Sequence, residues 1–148
     1  SHVGTVHPLF AAKQGATIDH ISKGRWGLNV VCGWYTPEME MFGAAQLPHD
    51  ERYARAGEWV EVIKRLWREN HFDHRGHYYS VTDGYLEPKP MQQPHPVIVN
   101  AGVSDAGREF SARHVDFNFI TMDSLDAAAT LAADVRARAR RHGREIGV

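Results

Sequence analysis

Trp26-Gly27-Leu28-Asn29-Val30-Val31-Cys32, closed by Gly33, is a short and nearly continuous apolar run. Its length and its Leu and Val content fit a strand buried on both faces, as in a parallel sheet covered by helices. Upstream, residues from about Pro8 to Ser22 place Leu9, Ala12, Ala16 and Ile18 at mixed helical spacing. Pro8 is acceptable in a first turn, and Ser22-Lys23-Gly24-Arg25 breaks the helix. Downstream, Pro37, Gly43 and Pro48 with scattered Met and Phe predict an ordered loop from Trp34 to His49 without a long periodic element. A helix then starts near Asp50 and puts Trp59, Val62, Ile63, Leu66 and Trp67 on one face. Residues 71 to 87 alternate aromatic and polar groups around Gly76 and Asp83-Gly84, which predicts two short antiparallel strands and a tight turn. Pro88, Pro90, Pro94 and Pro96 hold the following chain extended.

Val97-Ile98-Val99-Asn100 reads as a second short buried strand and Ser104 to His114 as a helix. Asp116 to Thr121 is a third strand in which Phe117 and Phe119 alternate, and an alanine-rich helix runs from about Ser124 to His142. Helices alternating with buried strands define the α/β class. Glu145-Ile146-Gly147-Val148 approaches a further strand. A (β/α)8 TIM barrel takes about 250 residues, so the expectation is a partial barrel, its central segment, with a short β-hairpin insertion. Residues 1–148 are expected to form a single domain, incomplete at both ends.

Seventeen basic residues stand against eighteen acidic ones, for a formal charge of −1. Nucleic-acid binders usually carry a clustered basic excess, so small molecules or proteins are the expected partners. The single cysteine, Cys32, cannot form an internal disulfide, and no apolar run approaches the roughly 20 residues of a membrane span. A cytoplasmic setting follows as an expectation. Ser1-His2-Val3-Gly4 offers no basic flank leading into an apolar core, so no signal peptide is read there.

In a parallel α/β barrel the loops after the strands' carboxyl ends build the active site. Three places then stand out. The first is Asn29 through Glu38, where an amide that both donates and accepts suits the carbonyl and N–H edge of an isoalloxazine ring. The amide would serve equally to pair barrel backbone groups. The second is Asn100-Ala101-Gly102-Val103-Ser104-Asp105-Ala106-Gly107, where a strand passes through glycine into a helix start. Free N–H groups and the helix dipole make such a start an anion site with Ser104 adding a hydroxyl, or Ser104 or Asp105 is simply the N-cap. The third is Asp50-Glu51-Arg52-Tyr53, which offers a guanidinium fork and a stacking phenol, or a solvated helix start.

Taken in order, Ala16-Thr17-Ile18-Asp19-His20-Ile21-Ser22-Lys23-Gly24-Arg25, Asn29-Val30-Val31-Cys32-Gly33-Trp34, Pro37-Glu38 with Phe42-Gly43, and Asp50-Glu51-Arg52-Tyr53 resemble the bacterial luciferase-like flavin monooxygenases. Leu66-Trp67, Phe72 with Gly76 and Tyr78, Pro88-Lys89-Pro90 with Gln92-Gln93, and Ala101-Gly102-Val103-Ser104 extend the resemblance over most of the chain. Within the family the chain is most similar to the group of pyrimidine oxygenase, dimethylsulfone monooxygenase and alkanesulfonate monooxygenase. Ser104-Asp105-Ala106-Gly107 with Phe110-Ser111-Ala112 leans toward the pyrimidine oxygenase side.

The resemblance implies a (β/α)8 barrel with an inserted segment, reduced FMN supplied by a separate NAD(P)H:flavin reductase, and O2 as co-substrate. It implies a small organosulfur or N-heterocyclic substrate and a homo-oligomer. Asn29, Glu38, Arg52, Tyr53 and Ser104 match positions that contact FMN, with Ser104 expected at the phosphate. No catalytic acid or base is named. Cys32 stands where relatives usually carry a small hydroxyl residue; a small buried cysteine is the reading, with a catalytic thiolate as its alternative. A deazaflavin-dependent oxidoreductase on the same barrel and a non-catalytic flavin-binding paralogue are the competing functions. His71, His74 and His77 recur every third residue, a spacing that does not converge on a metal from a strand and turn, so no metal is expected. Arg136, Arg138, Arg140 and Arg141 read as a solvated helix carboxyl end.

Overall fold

A proline in the first turn, preceded by a histidine, starts the first helix. The computed structural model describes residues 1–121 and 124–148, in two compact units, Ser1–Pro96 and Val97–Val148. In the first unit, α1 (Pro8–Ser22) has His7 as its N-cap, the ring Nδ1 accepting from Leu9 N at 3.3 Å. Lys23 closes the helix in the left-handed conformation, with Gly24 N reaching back to Asp19 O at 2.9 Å, the geometry that satisfies terminal carbonyls. The buried face of α1 is built of small residues, Ala11, Ala12, Gly15 and Ala16. Opposite it lies α3 (His49–Arg68), whose buried face is large: Trp59, Val60, Ile63, Leu66 and Trp67. The small face lets the large one approach, and both indoles donate to backbone carbonyls, Trp59 to Val6 at 2.8 Å and Trp67 to Ala12 at 3.0 Å.

Strand β1 (Gly27–Asn29) is shorter than expected and buries one face only. Leu28 and Val30 are inside, whereas Gly27 and Asn29 are exposed. The backbone continues as a parallel bridge between His2 and Val31. The stretch expected as loop contains a short helix, α2 (Thr36–Met41), with Pro37 in its first turn and Met39 buried. Proline's fixed φ presets helical backbone there, a local signal that hydrophobic periodicity does not carry.

The hairpin is as expected: β2 (Phe72–Arg75) pairs antiparallel with β3 (Ser80–Gly84). Its turn is pinned to α3 by Glu58, which accepts from Tyr78 N at 2.9 Å and Tyr79 N at 2.7 Å. The proline-rich segment is fixed by the fully buried Asp19. Its carboxylate accepts from Met91 N, Gln92 N and Gln92 Nε2 at 2.7, 3.0 and 2.6 Å. Lys89 reaches the end of α3, donating to Leu66 O at 2.9 Å and Glu69 O at 2.6 Å.

The second unit runs β4 (Val97–Asn100), α4 (Asp105–His114), β5 (Phe117–Asn118) and α5 (Leu125–Arg141). β4 and β5 are parallel, and Phe117 makes a further parallel bridge with Gly147. Two successive strand-helix-strand passages result. Ile98, Phe110, Ala112, Val115, Val135, Ala139 and Ile146 form its apolar interior. β5 is far shorter than the expected 116–121, and its phase is inverted relative to a simple apolar face: Phe117 and Phe119 are exposed while Asn118 is buried. The order of helices and strands makes the fold α/β.

Candidate functional site

Beyond β1 the chain passes through Gly33, whose φ of +81° is a conformation that side chains other than glycine's adopt at a cost. A Cβ there would also lie 2.9 Å from His2 Cε1. The carbonyl of the buried Gly33 is gripped twice, by Gln46 Nε2 at 2.9 Å and by Nη1 of Arg52 from the first turns of α3. Arg52 thus spends one arm on the backbone, while its buried Nε–H has no hydrogen-bond partner. Beside it lies a small cleft lined by Cys32, Met39, Gln46, Leu47, Arg52 and Arg55. Arg55 Nε in turn donates to Tyr79 Oη at 2.9 Å.

Burial pushes the Cys32 thiol up to about 12, against the smaller opposing pull of Arg52. Burial therefore favours the small buried cysteine over the catalytic thiolate. Glu38 in α2 sits 4.0 Å from His2 Nε2. His2 Nδ1 accepts from Gly4 N at 3.2 Å, which leaves the ring's proton on Nε2 in the neutral form. Burial holds His2 below its ordinary value, with Glu38 pulling the other way. Glu38, Arg52 and Cys32 therefore gather around Gly33. Asn29 lies on the exposed face of β1 rather than within a doubly buried strand, and its carbonyl accepts the Ser1 amino group at 2.5 Å. Tyr53 is half-buried, its ring 5.3 Å from that of His49.

Ser104 belongs to the second unit and is the N-cap of α4: Oγ accepts from Gly107 N at 3.1 Å. The capping reading is therefore correct. It does not exhaust the hydroxyl, which keeps its proton for another acceptor, and the first N–H groups of a helix have no intrahelical partner. Beneath the turn that delivers Ser104 lies a buried polar hub. Asn100 Oδ1 accepts from Gly102 N at 2.8 Å and from Ser111 Oγ at 3.1 Å. Asn118 Nδ2 donates to Asn100 O, Gly102 O and Ser111 Oγ at 3.1, 3.2 and 3.0 Å. Three side chains thus fix the carbonyls and amides of residues 100–102. The sequence does not show this hub, because the alternation of Phe117 and Phe119 puts Asn118 in the exterior phase. His2 and Gln46 leave no trace either.

The three regularly spaced histidines diverge. His74 Nε2 pairs with Glu58 at 3.1 Å, His71 with Asp83 at 2.8 Å, and His77 packs edge-on against Tyr78. The arginine cluster on α5 is not uniformly solvated, because the Arg138 side chain is only 15% exposed and bound to carboxylates.

The family model of the luciferase-like monooxygenases matches residues 1–148. The chain belongs to that family. It is 38% identical over 145 residues to the FMNH2-dependent dimethylsulfone monooxygenase of Pseudomonas putida, covering 98% of this chain and 40% of the relative. To the pyrimidine monooxygenase RutA of Cronobacter sakazakii it is 41% identical over 150 residues, covering 97% and 43%. Among solved structures, the long-chain alkane monooxygenase LadA superposes with a TM-score of 0.90 at 30% identity, covering 98% of this chain and 38% of that one. The chain spans about 40% of the length of the curated relatives it matches.

Proposed function

We infer that the protein is an FMNH2- and O2-dependent monooxygenase acting on a small organosulfur or N-heterocyclic compound, and that residues 1–148 are a segment of a single (β/α)8 barrel domain. The observation that carries this reading is the match of the family over every residue, joined to relatives whose names specify FMNH2, a sulfone and a pyrimidine. The parallel β4-β5 pair and the parallel bridge to Gly147 support the barrel.

The residues present fit a flavin mononucleotide. Ser104 and the start of α4 offer a hydroxyl and backbone N–H groups to a phosphate. Asn29, Glu38, Arg52 and Tyr53 are assigned to the flavin as well, with the buried and unpartnered Arg52 N–H as the donor still unspent. Reduced FMN, when bound, supplies the electrons that activate O2. The chain's own task is then to orient substrate and exclude water, for which the apolar wall of Met39 and Leu47 beside the un-ionised Cys32 is suited. A separate NAD(P)H:flavin reductase is the partner, and a homo-oligomer the assembly. Among the described residues no helix is long and apolar enough to cross a membrane.

The test is turnover by the whole protein with a flavin reductase and NAD(P)H, offered sulfones, alkanesulfonates and pyrimidines in turn. Oxygenated product and substrate-dependent O2 uptake with one class are expected. Flavin binding with no product from any of them would instead mark a non-catalytic flavin-binding paralogue.

A further inference from the structure

At the start of α4 an acidic residue, Asp105, follows directly on Ser104. An acid in the first turn suits the helix dipole, but the same positive end is what a phosphate requires. Two anions would compete for it. Asp105 is not left uncompensated: its Oδ1 accepts from Arg138 Nη2 at 2.6 Å and from Arg108 Nη2 at 3.4 Å. Arg138, on α5, is in turn held in place by Asp134 at 2.9 Å through Nε and by Glu109 at 3.4 Å through Nη1. Arg108 also reaches Asp134, at 3.2 Å. Two guanidiniums and three carboxylates thus form a clasp between α4 and α5.

We propose that Arg138 is a positioning residue for the flavin phosphate, cancelling the Asp105 charge beside Ser104 and holding it toward α5 so that the start of α4 stays attractive to a dianion. The side chains divide the work by exposure. Asp105 is 78% exposed and contributes charge rather than packing, whereas Arg138 is 15% exposed and locked by its three carboxylates. A unit charge uncovered within a few ångströms of a phosphate near the surface changes affinity about three- to tenfold at low ionic strength, and less as salt screens it. A neutral ligand in the same place would not sense it. The proposal rests on the assignment of the phosphate to Ser104, and the two fail in different ways.

The experiment is anaerobic titration of the whole protein with reduced FMN and with reduced riboflavin, which lacks the phosphate, at low and high salt. Arg138→Gln is expected to weaken FMN binding about three- to tenfold and Asp105→Asn to tighten it. The double variant should return to within about twofold of the parent. Riboflavin binding should stay within about twofold throughout. Equal loss of FMN and riboflavin in Arg138→Gln, or no recovery in the double variant, would show a structural clasp and overturn the proposal. Should Arg138→Gln not fold, Asp105→Asn decides alone, since unchanged FMN affinity in that exposed variant also overturns it. If FMN and riboflavin bind equally to the parent and to Ser104→Ala, the phosphate assignment itself is wrong.

Discussion

At pH 8 a cysteine of ordinary acidity, 9.0, is about one-tenth ionised, whereas a thiol raised to about 12 is ionised in about one molecule in ten thousand. Alkylation of Cys32 by iodoacetamide is therefore expected to be about a thousandfold slower in the folded protein than in the urea-unfolded chain, as followed by mass spectrometry. Comparable rates would mean that Arg52 outweighs burial and that the thiolate alternative is alive. The type of residue was visible in the sequence and its acidity was not, because acidity here depends on burial and on an arginine twenty positions away. The same holds for Arg52, legible as a guanidinium at a helix start but not as a clasp on the Gly33 carbonyl.

The helices were the most legible elements. α1, α3 and α5 fall where period and breakers put them, because each buries one continuous face and ends on a local signal such as Lys23-Gly24 or Ser124. The strands were less so, since runs of two to five residues carry almost no periodicity, and Asn29 and Asn118 sit on the opposite faces from those an apolar run suggests. Separate segments that carry the family resemblance meet in space, Asp19 with Gln92 and Leu66 with Lys89. Gly15 is the tightest point between α1 and its neighbours: a Cβ would stand 2.6 Å from Trp26 Cη2 and 3.2 Å from Trp67 Cζ2. Gly15→Ala, which by helix propensity alone would stabilise, is expected to cost about 1–3 kcal/mol through overpacking, read as a lower urea midpoint. A rise in the midpoint would show that the Trp26-Trp67 pair, edge-to-face at 6.2 Å, moves aside freely.

For the molecule as a whole, acid should act in two windows. His2 and His7 are held below 6.5, mainly by burial, so the unfolded chain takes up their protons first and stability falls as pH drops below about 6.5. Glu109 is held down at about 2 from 4.5 by hydrogen bonds from Arg113 and His142. Its contribution, about 1–2 kcal/mol after solvent screening, is present above 4.5 and lost as pH falls toward about 2. Urea midpoints followed by far-UV circular dichroism should step down twice in the parent, and the lower step should be smaller in Glu109→Gln, with Glu58, also held below its ordinary range, retaining its share. A Glu109→Gln curve parallel to the parent's would rule that carboxylate out.

Fold class and family were legible because they are spread over the whole chain, whereas the polar hub beneath Ser104 depends on three residues up to 18 positions apart that meet only after folding. The central claim is that Ser104, capping α4, receives a flavin phosphate. Equilibrium binding of reduced FMN to the whole protein and to its Ser104→Ala variant tests it most directly. The expected result is tight binding by the parent and a loss of about tenfold or more in the variant; an FMN affinity unchanged by Ser104→Ala and by Asn29→Ala would contradict it.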